Sequence, residues 1–283
     1  MVRTNPILVI AVILLSLGIP RPGNAGEAQN AFNEGVKYYR AGKFKEAIAA
    51  YDKAIKADPK AAEAYNNRGL AYYKLGRTDD AIKDYDEALK INNKLMDAYY
   101  NRANAHFVQK QYYQAIRDYD AVIKQDPKLL QAYNQRGHAY YYVSQYEKAI
   151  QDFDQAQKLN PKDPAIYNSR ALAERRLGKN DLAVRDYTES IKLDPKNAEV
   201  YNNRANAYSL LGKYDEALKD YDQAIKLDPK NAHIYVNRGV ISLRQGKGGE
   251  AEKDFKKAIE LDPSLKEKIE PLIGAQKSAP GKK

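Results

Sequence analysis

The chain has 283 residues, ordinary apolar content, mixed charge with a formal net charge of +10, and no cysteine. These exclude general disorder, a disulfide-stapled scaffold and thiol chemistry. Length alone points to one large or two ordinary domains, but Tyr65, Tyr99, Tyr133, Tyr167, Tyr201 and Tyr235 recur every 34 residues without insertion or deletion, so the chain is a repeat array whose function is sought on an extended surface.

Residues 1–25 read MVRTNP, an apolar run from Ile7 to Ile19, then PRPGNA, with Gly23 and Ala25 at the spacing a signal peptidase prefers. They predict a secretory signal peptide cleaved after Ala25, with an uncleaved N-terminal membrane anchor as the alternative; the run is shorter than the ~20 apolar residues that span a bilayer. No other segment reads as a span, so none is expected in the mature chain. An exported, periplasmic or secreted basic protein, about +8 once Arg3 and Arg21 leave, meets anionic envelope polymers, lipid headgroups or acidic partners rather than nucleic acid.

The array is expected over residues 26–265, in seven registers: 28–61, 62–95, 96–129, 130–163, 164–197, 198–231 and 232–265. Position 8 is always Gly or Ala (Gly35, Gly69, Ala103, Gly137, Ala171, Ala205, Gly239) and position 20 always Ala, so two backbones approach closely there. Position 24 is always aromatic (Tyr51, Tyr85, Tyr119, Phe153, Tyr187, Tyr221, Phe255) and supplies the bulk. Apolar residues at helical spacing cover positions 3–14 and again 17–30, with a break near position 15 and proline usual at position 32, Asn93 departing. Each register is therefore a helical hairpin. Position 7 is Arg and position 23 Asp in repeats 2 to 7, while repeat 1 has Glu34 and Ala50 instead. This joint loss predicts an Arg–Asp pair between the two helices of one repeat, fixing register more than stability. Gly248 and Gly249 predict a frayed or late second helix in repeat 7. Leu265, Ile269, Leu272 and Ile273 predict a capping helix over 266–274, interrupted by Pro271, and residues 275–283 a disordered basic tail.

The pattern AYNNRGLAYYKLGRTDDAIKDYDEALKIN from Ala64 to Asn92 resembles the tetratricopeptide repeat family, over residues 28–265. Tyrosine stands where the family often has tryptophan at position 4, and repeat 1 departs with Ala31. The resemblance implies an all-α, right-handed superhelical solenoid. It also implies a concave groove that takes extended peptides on positions 2, 5, 6, 9, 12 and 13 of each first helix. Those positions hold Asn66, Asn67 and Tyr73; Tyr100, Asn101, Asn104 and Phe107; Asn134, Gln135, His138, Tyr141 and Tyr142; Asn168, Arg175 and Arg176; Asn202, Asn203 and Asn206; and Asn237 and Arg244. Asparagine suits pairing with a peptide backbone, and tyrosine adds contact area. The other reading of these amides is hydrogen bonding between neighbouring helices. A carboxylate clamp of the kind some members carry is not matched, because position 5 of repeat 6 is Asn202 rather than Lys.

His106, His138 and His233 sit on three different repeats, which argues against a metal site. No phosphate-binding loop, zinc spacing or nucleophile motif is present. The expectation is a non-enzymatic scaffold without cofactor or metal, holding a protein or peptide partner in envelope assembly or secretion. A self-assembling structural solenoid, with homo-oligomers, and an envelope polysaccharide binder stand as alternatives. Lysines at positions 29 and 33 form a basic edge along the turns, open to contact with a membrane surface.

Overall fold

The computed structural model describes residues 25–278; the predicted signal peptide, Ala25 apart, and residues 279–283 of the predicted tail lie outside them. Among the described residues every regular element is helical, and they fall into two units that divide after Ser144. The first holds α1 (Ala25–Arg40), α2 (Phe44–Ala57), α3 (Ala62–Lys74), α4 (Thr78–Ile91), α5 (Met96–Val108), α6 (Tyr112–Gln125) and α7 (Leu130–Tyr142). The second holds α8 (Tyr146–Leu159), α9 (Pro164–Arg176), α10 (Asn180–Leu193), α11 (Ala198–Leu210), α12 (Tyr214–Leu227), α13 (Ala232–Arg244) and α14 (Gly248–Leu261). A 3-10 turn (Pro263–Leu265) and α15 (Lys266–Ser278) follow. Within each unit successive helices pack as hairpins, and each hairpin packs on the next. The architecture is the all-α solenoid of helical hairpins that the period predicts.

From the second repeat on, the first helix of each repeat fills positions 1–13 and the second positions 17–30. The first helix stops at 13 because position 15 takes positive φ: Gly42 (72°), Gly76 (75°), Gly178 (73°), Gly212 (73°) and Gly246 (75°), and, without glycine, Lys110 (61°) and Ser144 (60°). This left-handed residue turns the chain so that, in repeat 2, the Arg77 N–H donates to the Tyr72 carbonyl at 2.9 Å. The other junction is built at position 31. Asp58, Asn92, Asp126, Asn160, Asp194, Asp228 and Asp262 each accept, through Oδ1, the backbone N–H two residues on, at 2.9–3.3 Å. The turn forms at Asn92 although Asn93 stands where other repeats have proline, so the Asp or Asn side chain, and not the proline, makes it.

The hairpins close on the alternation of large and small side chains. Every position-20 alanine and every position-24 aromatic is buried, and a Cβ on Gly69 would lie 2.8 Å from the Tyr85 ring, as one on Gly239 would from the Phe255 ring. Two expectations at the C-terminal end are corrected. α14 begins at Gly248, in register with every other second helix, instead of starting late. Two glycines cost a helix only about 1 kcal/mol each, while burying Phe255, Ala251 and Ala258 outweighs that loss. α15 runs through Pro271 and past Gly274 to Ser278. Proline removes one helical hydrogen bond, and Leu265 and Ile269, buried in the cluster with Phe255 and Ala258, hold the helix against the last hairpin.

Candidate functional site

The position-7 arginines repeat one set of contacts in each unit. Arg68, Arg102, Arg170, Arg204 and Arg238 each donate through Nε and Nη2 to both carboxylate oxygens of the position-23 aspartate of the same repeat, at 2.6–2.8 Å. The expected pairing within a repeat is thus a two-bond fork. A third contact had no counterpart in the sequence reading. Nη1 reaches back to position 25 of the preceding repeat: Arg68 to Asp52 at 2.5 Å, Arg102 to Asp86 at 2.6 Å, Arg136 to Asp120 at 2.5 Å, Arg170 to Asp154 at 2.6 Å and Arg238 to Asp222 at 2.6 Å, with Thr188 Oγ1 serving Arg204 at 3.0 Å. The position-4 tyrosine lies under each guanidinium at 5.4–5.8 Å. These pairs are also less exposed than the sequence implied: the Asp84 side chain is 8% exposed, and burial raises its pKa even with Arg68 against it. These contacts therefore join consecutive repeats, and the donors that make them are spent on structure.

The groove positions divide into spent and open groups. In the first unit Asn66 donates to Asn67 at 3.1 Å and accepts from Asn101 at 3.0 Å, all three buried; in the second, Asn202 accepts from Asn237 at 3.0 Å. Position 6 of one repeat thus bonds position 5 of the one before, the helix-to-helix reading of these amides. Asn104 accepts from the Tyr119 hydroxyl, and Asn206 from that of Tyr221, both at 2.7 Å. Gln135 and Asn203 are buried, and Asn134 is half-buried. Against these stand polar atoms buried without a hydrogen-bond partner, Asn168 Oδ1 and Arg175 Nε in the second unit. Arg176 and Arg244 are exposed.

Aromatic residues concentrate at the ends of α5 and α7. Phe107 is buried edge-on against Tyr112 at 5.3 Å and Tyr142 at 5.7 Å, Tyr112 and Tyr142 stack at 4.9 Å, and Tyr141 meets Tyr142 edge-on at 5.8 Å. Tyr142 remains 37% exposed. Tyr100 packs edge-on to Tyr119 in the core beneath, and Tyr73 is half-buried. Tyr112 was absent from the sequence-based groove set because it belongs to a second helix, at position 17. Burial lowers the His138 pKa to about 4, leaving a neutral ring at physiological pH. His106 Nδ1 lies 2.6 Å from Gln111 Oε1. Among the described residues no group of three or more His, Cys, Asp or Glu side chains is placed to hold a metal ion, and no helix is long and apolar enough to cross a membrane.

A family model described as the cilia and flagella-associated protein 70 C-terminal domain matches residues 60–271, and a tetratricopeptide repeat model matches residues 23–95. No curated protein matches the chain in sequence. Among solved structures it is similar to a tetratricopeptide repeat protein from Parabacteroides merdae, at 25% identity over 89% of this chain and 100% of that one, with a TM-score of 0.64. It is similar to MamA protein at 26% identity over 61% of this chain and 94% of that one, with a TM-score of 0.57. It shares its fold with YrrB, described as a TPR protein with an unusual peptide-binding site, at 22% identity over 63% of this chain and 92% of that one, with a TM-score of 0.54. Helical hairpins in a 34-residue register, these neighbours and the family models give one result: the chain belongs to the tetratricopeptide repeat family.

Proposed function

We propose that this chain is a non-enzymatic adaptor that holds an extended segment of a partner protein on the groove positions of its first helices. The family's fold is in general an interaction scaffold, and that is the starting point. The observation that carries the reading is the set of buried polar atoms left open there. Asn168 Oδ1 and Arg175 Nε, both in the second unit, have no hydrogen-bond partner in the folded chain. The arginines at position 7 are engaged in contacts within and between repeats. An unpaired buried polar group costs about 1–3 kcal/mol, and the alternating N–H and C=O groups of an extended backbone match an open guanidinium donor and an open amide acceptor. Exposed Tyr142 in the first unit and exposed Leu210 in the second offer apolar area for side chains.

The apolar run Ile7 to Ile19 supports export, with a mature start at Gly26 and a role in envelope assembly or secretion. Mass spectrometry of the periplasmic or secreted fraction tests this part, and an intact membrane-embedded chain beginning at Met1 would contradict it. The binding function is tested by selecting a displayed random-peptide library on the immobilised full chain. Peptides should be enriched, and Asn168→Ala should weaken their binding without lowering thermal stability, because Asn168 Oδ1 bonds nothing in the free protein. Failure to enrich any peptide, together with self-association at micromolar concentration or retention on an exopolysaccharide resin, would move the function to one of the other two classes.

A further inference from the structure

Arg175 and Arg244 stand apart from the position-7 arginines. Arg175 lies in the last turn of α9 and Arg244 in the last turn of α13, and α11 packs against both helices. From α11 come Asn206, which accepts from the Tyr221 hydroxyl at 2.7 Å, and Leu210, which is 59% exposed. Burial raises the Tyr221 pKa above the ordinary phenol range, and the charges of Arg175 and Arg244 both pull it back, so cations from repeats 5 and 7 act on one point of repeat 6. Among the described residues no carboxylate pairs with either guanidinium, and Arg175 Nε is buried with no partner. A helix dipole favours a cation in the last turn. An arginine turned to water serves the dipole equally well, so the dipole explains neither the convergence nor the buried donor.

We propose that α9, α11 and α13 form a seat for an acidic extended peptide, in which two carboxylates lie on Arg175 and Arg244 and an apolar side chain between them covers Leu210. This rests on the peptide-holding function proposed above and names the chemistry of the ligand. Arginine forks pair with carboxylates in planar two-bond geometry, and uncommitted cations set both the encounter rate and the specificity of an anionic partner. Glu199, the acidic residue of α11, lies roughly 16 Å along the helix from Leu210 and does not oppose the seat. The exposed leucine favours a peptide over an anionic polysaccharide, which has no apolar side chain to place there.

The test is fluorescence anisotropy of a labelled short peptide of alternating glutamate and leucine titrated with the full chain. A glutamine–leucine counterpart and labelled polygalacturonate serve as comparisons. The glutamate peptide should bind at least about tenfold more tightly than the glutamine peptide, by a margin that shrinks in high salt. Arg175→Gln with Arg244→Gln should abolish the margin at unchanged helicity, while Arg175→Lys with Arg244→Lys should retain part of it. Equal binding of the glutamate peptide by the wild type and the double glutamine variant would overturn the seat, as would an equal loss in Lys192→Gln with Lys226→Gln on the turns. Binding of polygalacturonate without the acidic peptide would also overturn it. Tight binding of both peptides alike removes the acidic seat and leaves the peptide-holding function standing; if neither these nor any display-selected peptide binds, both fall.

Discussion

Lys110 occupies the turn position that five repeats give to glycine, at a φ of 61°. A side chain in the left-handed region costs about 1–2 kcal/mol, part of which glycine gives up as unfolded-state entropy. Lys110→Gly should therefore raise stability by about 0.5–1 kcal/mol, seen as a higher thermal midpoint; a lower one would show that the lysine side chain makes a compensating contact. Glu174 is a second local exception. Where repeats 2, 4 and 6 place Tyr72, Tyr140 and Tyr208 at position 11, repeat 5 buries a carboxyl. Its pKa is raised to about 7 by burial and then by Asp186 and Asp154, against Arg170 and Lys179. An unfolded glutamate titrates near ~4.3, so the folded state keeps a proton that the unfolded state has already lost. This contribution is fully present below the unfolded value, is lost as pH rises through 7, and is flat above. Glu174→Gln should raise the urea midpoint at pH 8 more than at pH 5. The difference between variant and wild type isolates this group from Asp97, raised to about 6 by burial, and from His138. An unchanged pH profile would contradict the assignment.

At the scale of the element, the Arg–Asp column separates two kinds of ion pair. Arg102 binds Asp118, whose side chain is 8% exposed, and Asp86, which is 44% exposed. Arg102→Gln strands a buried carboxylate and should cost about 3 kcal/mol, whereas Asp86→Asn loosens an exposed partner and should cost less than about 1 kcal/mol. Urea titration of the two variants checks the ratio, and equal losses would mean that the contact to the preceding repeat matters as much as the fork. Hairpins, repeat register and the pairing within a repeat were legible in the sequence because each is fixed by a strict period in residue type. The turn at position 31 and the arginine's reach to position 25 were not, although both are periodic, because Asp and Asn on a polar surface carry no signal until the chain is folded. The groove amides were located by resemblance, but which of them are spent depends on neighbours one repeat away. Asn66 and Asn101 find each other, whereas Asn168 Oδ1 finds nothing. At α14 local propensity misled, because the burial of Phe255 overrides Gly248 and Gly249.

At the scale of the molecule, a repeat array is stabilised by contacts between nearest neighbours and leaves its repeated faces available to a partner. Within each unit the interior is closed by alanine and aromatic side chains, and ion-pair columns tie one repeat to the next. What remains uncommitted is exposed Tyr142 in the first unit and, separately, Asn168 Oδ1, Arg175 Nε and exposed Leu210 in the second. The lysines of the turns are the competing surface. The most direct test is photo-crosslinking of a display-selected peptide to full chains carrying p-benzoylphenylalanine in place of Tyr142 or Leu210, on the groove positions, or of Lys158 or Lys192, on the turn edge. The account predicts crosslinks from 142 or 210 and none above background from 158 and 192; crosslinks confined to the lysine positions would place the binding surface on the basic edge and contradict it.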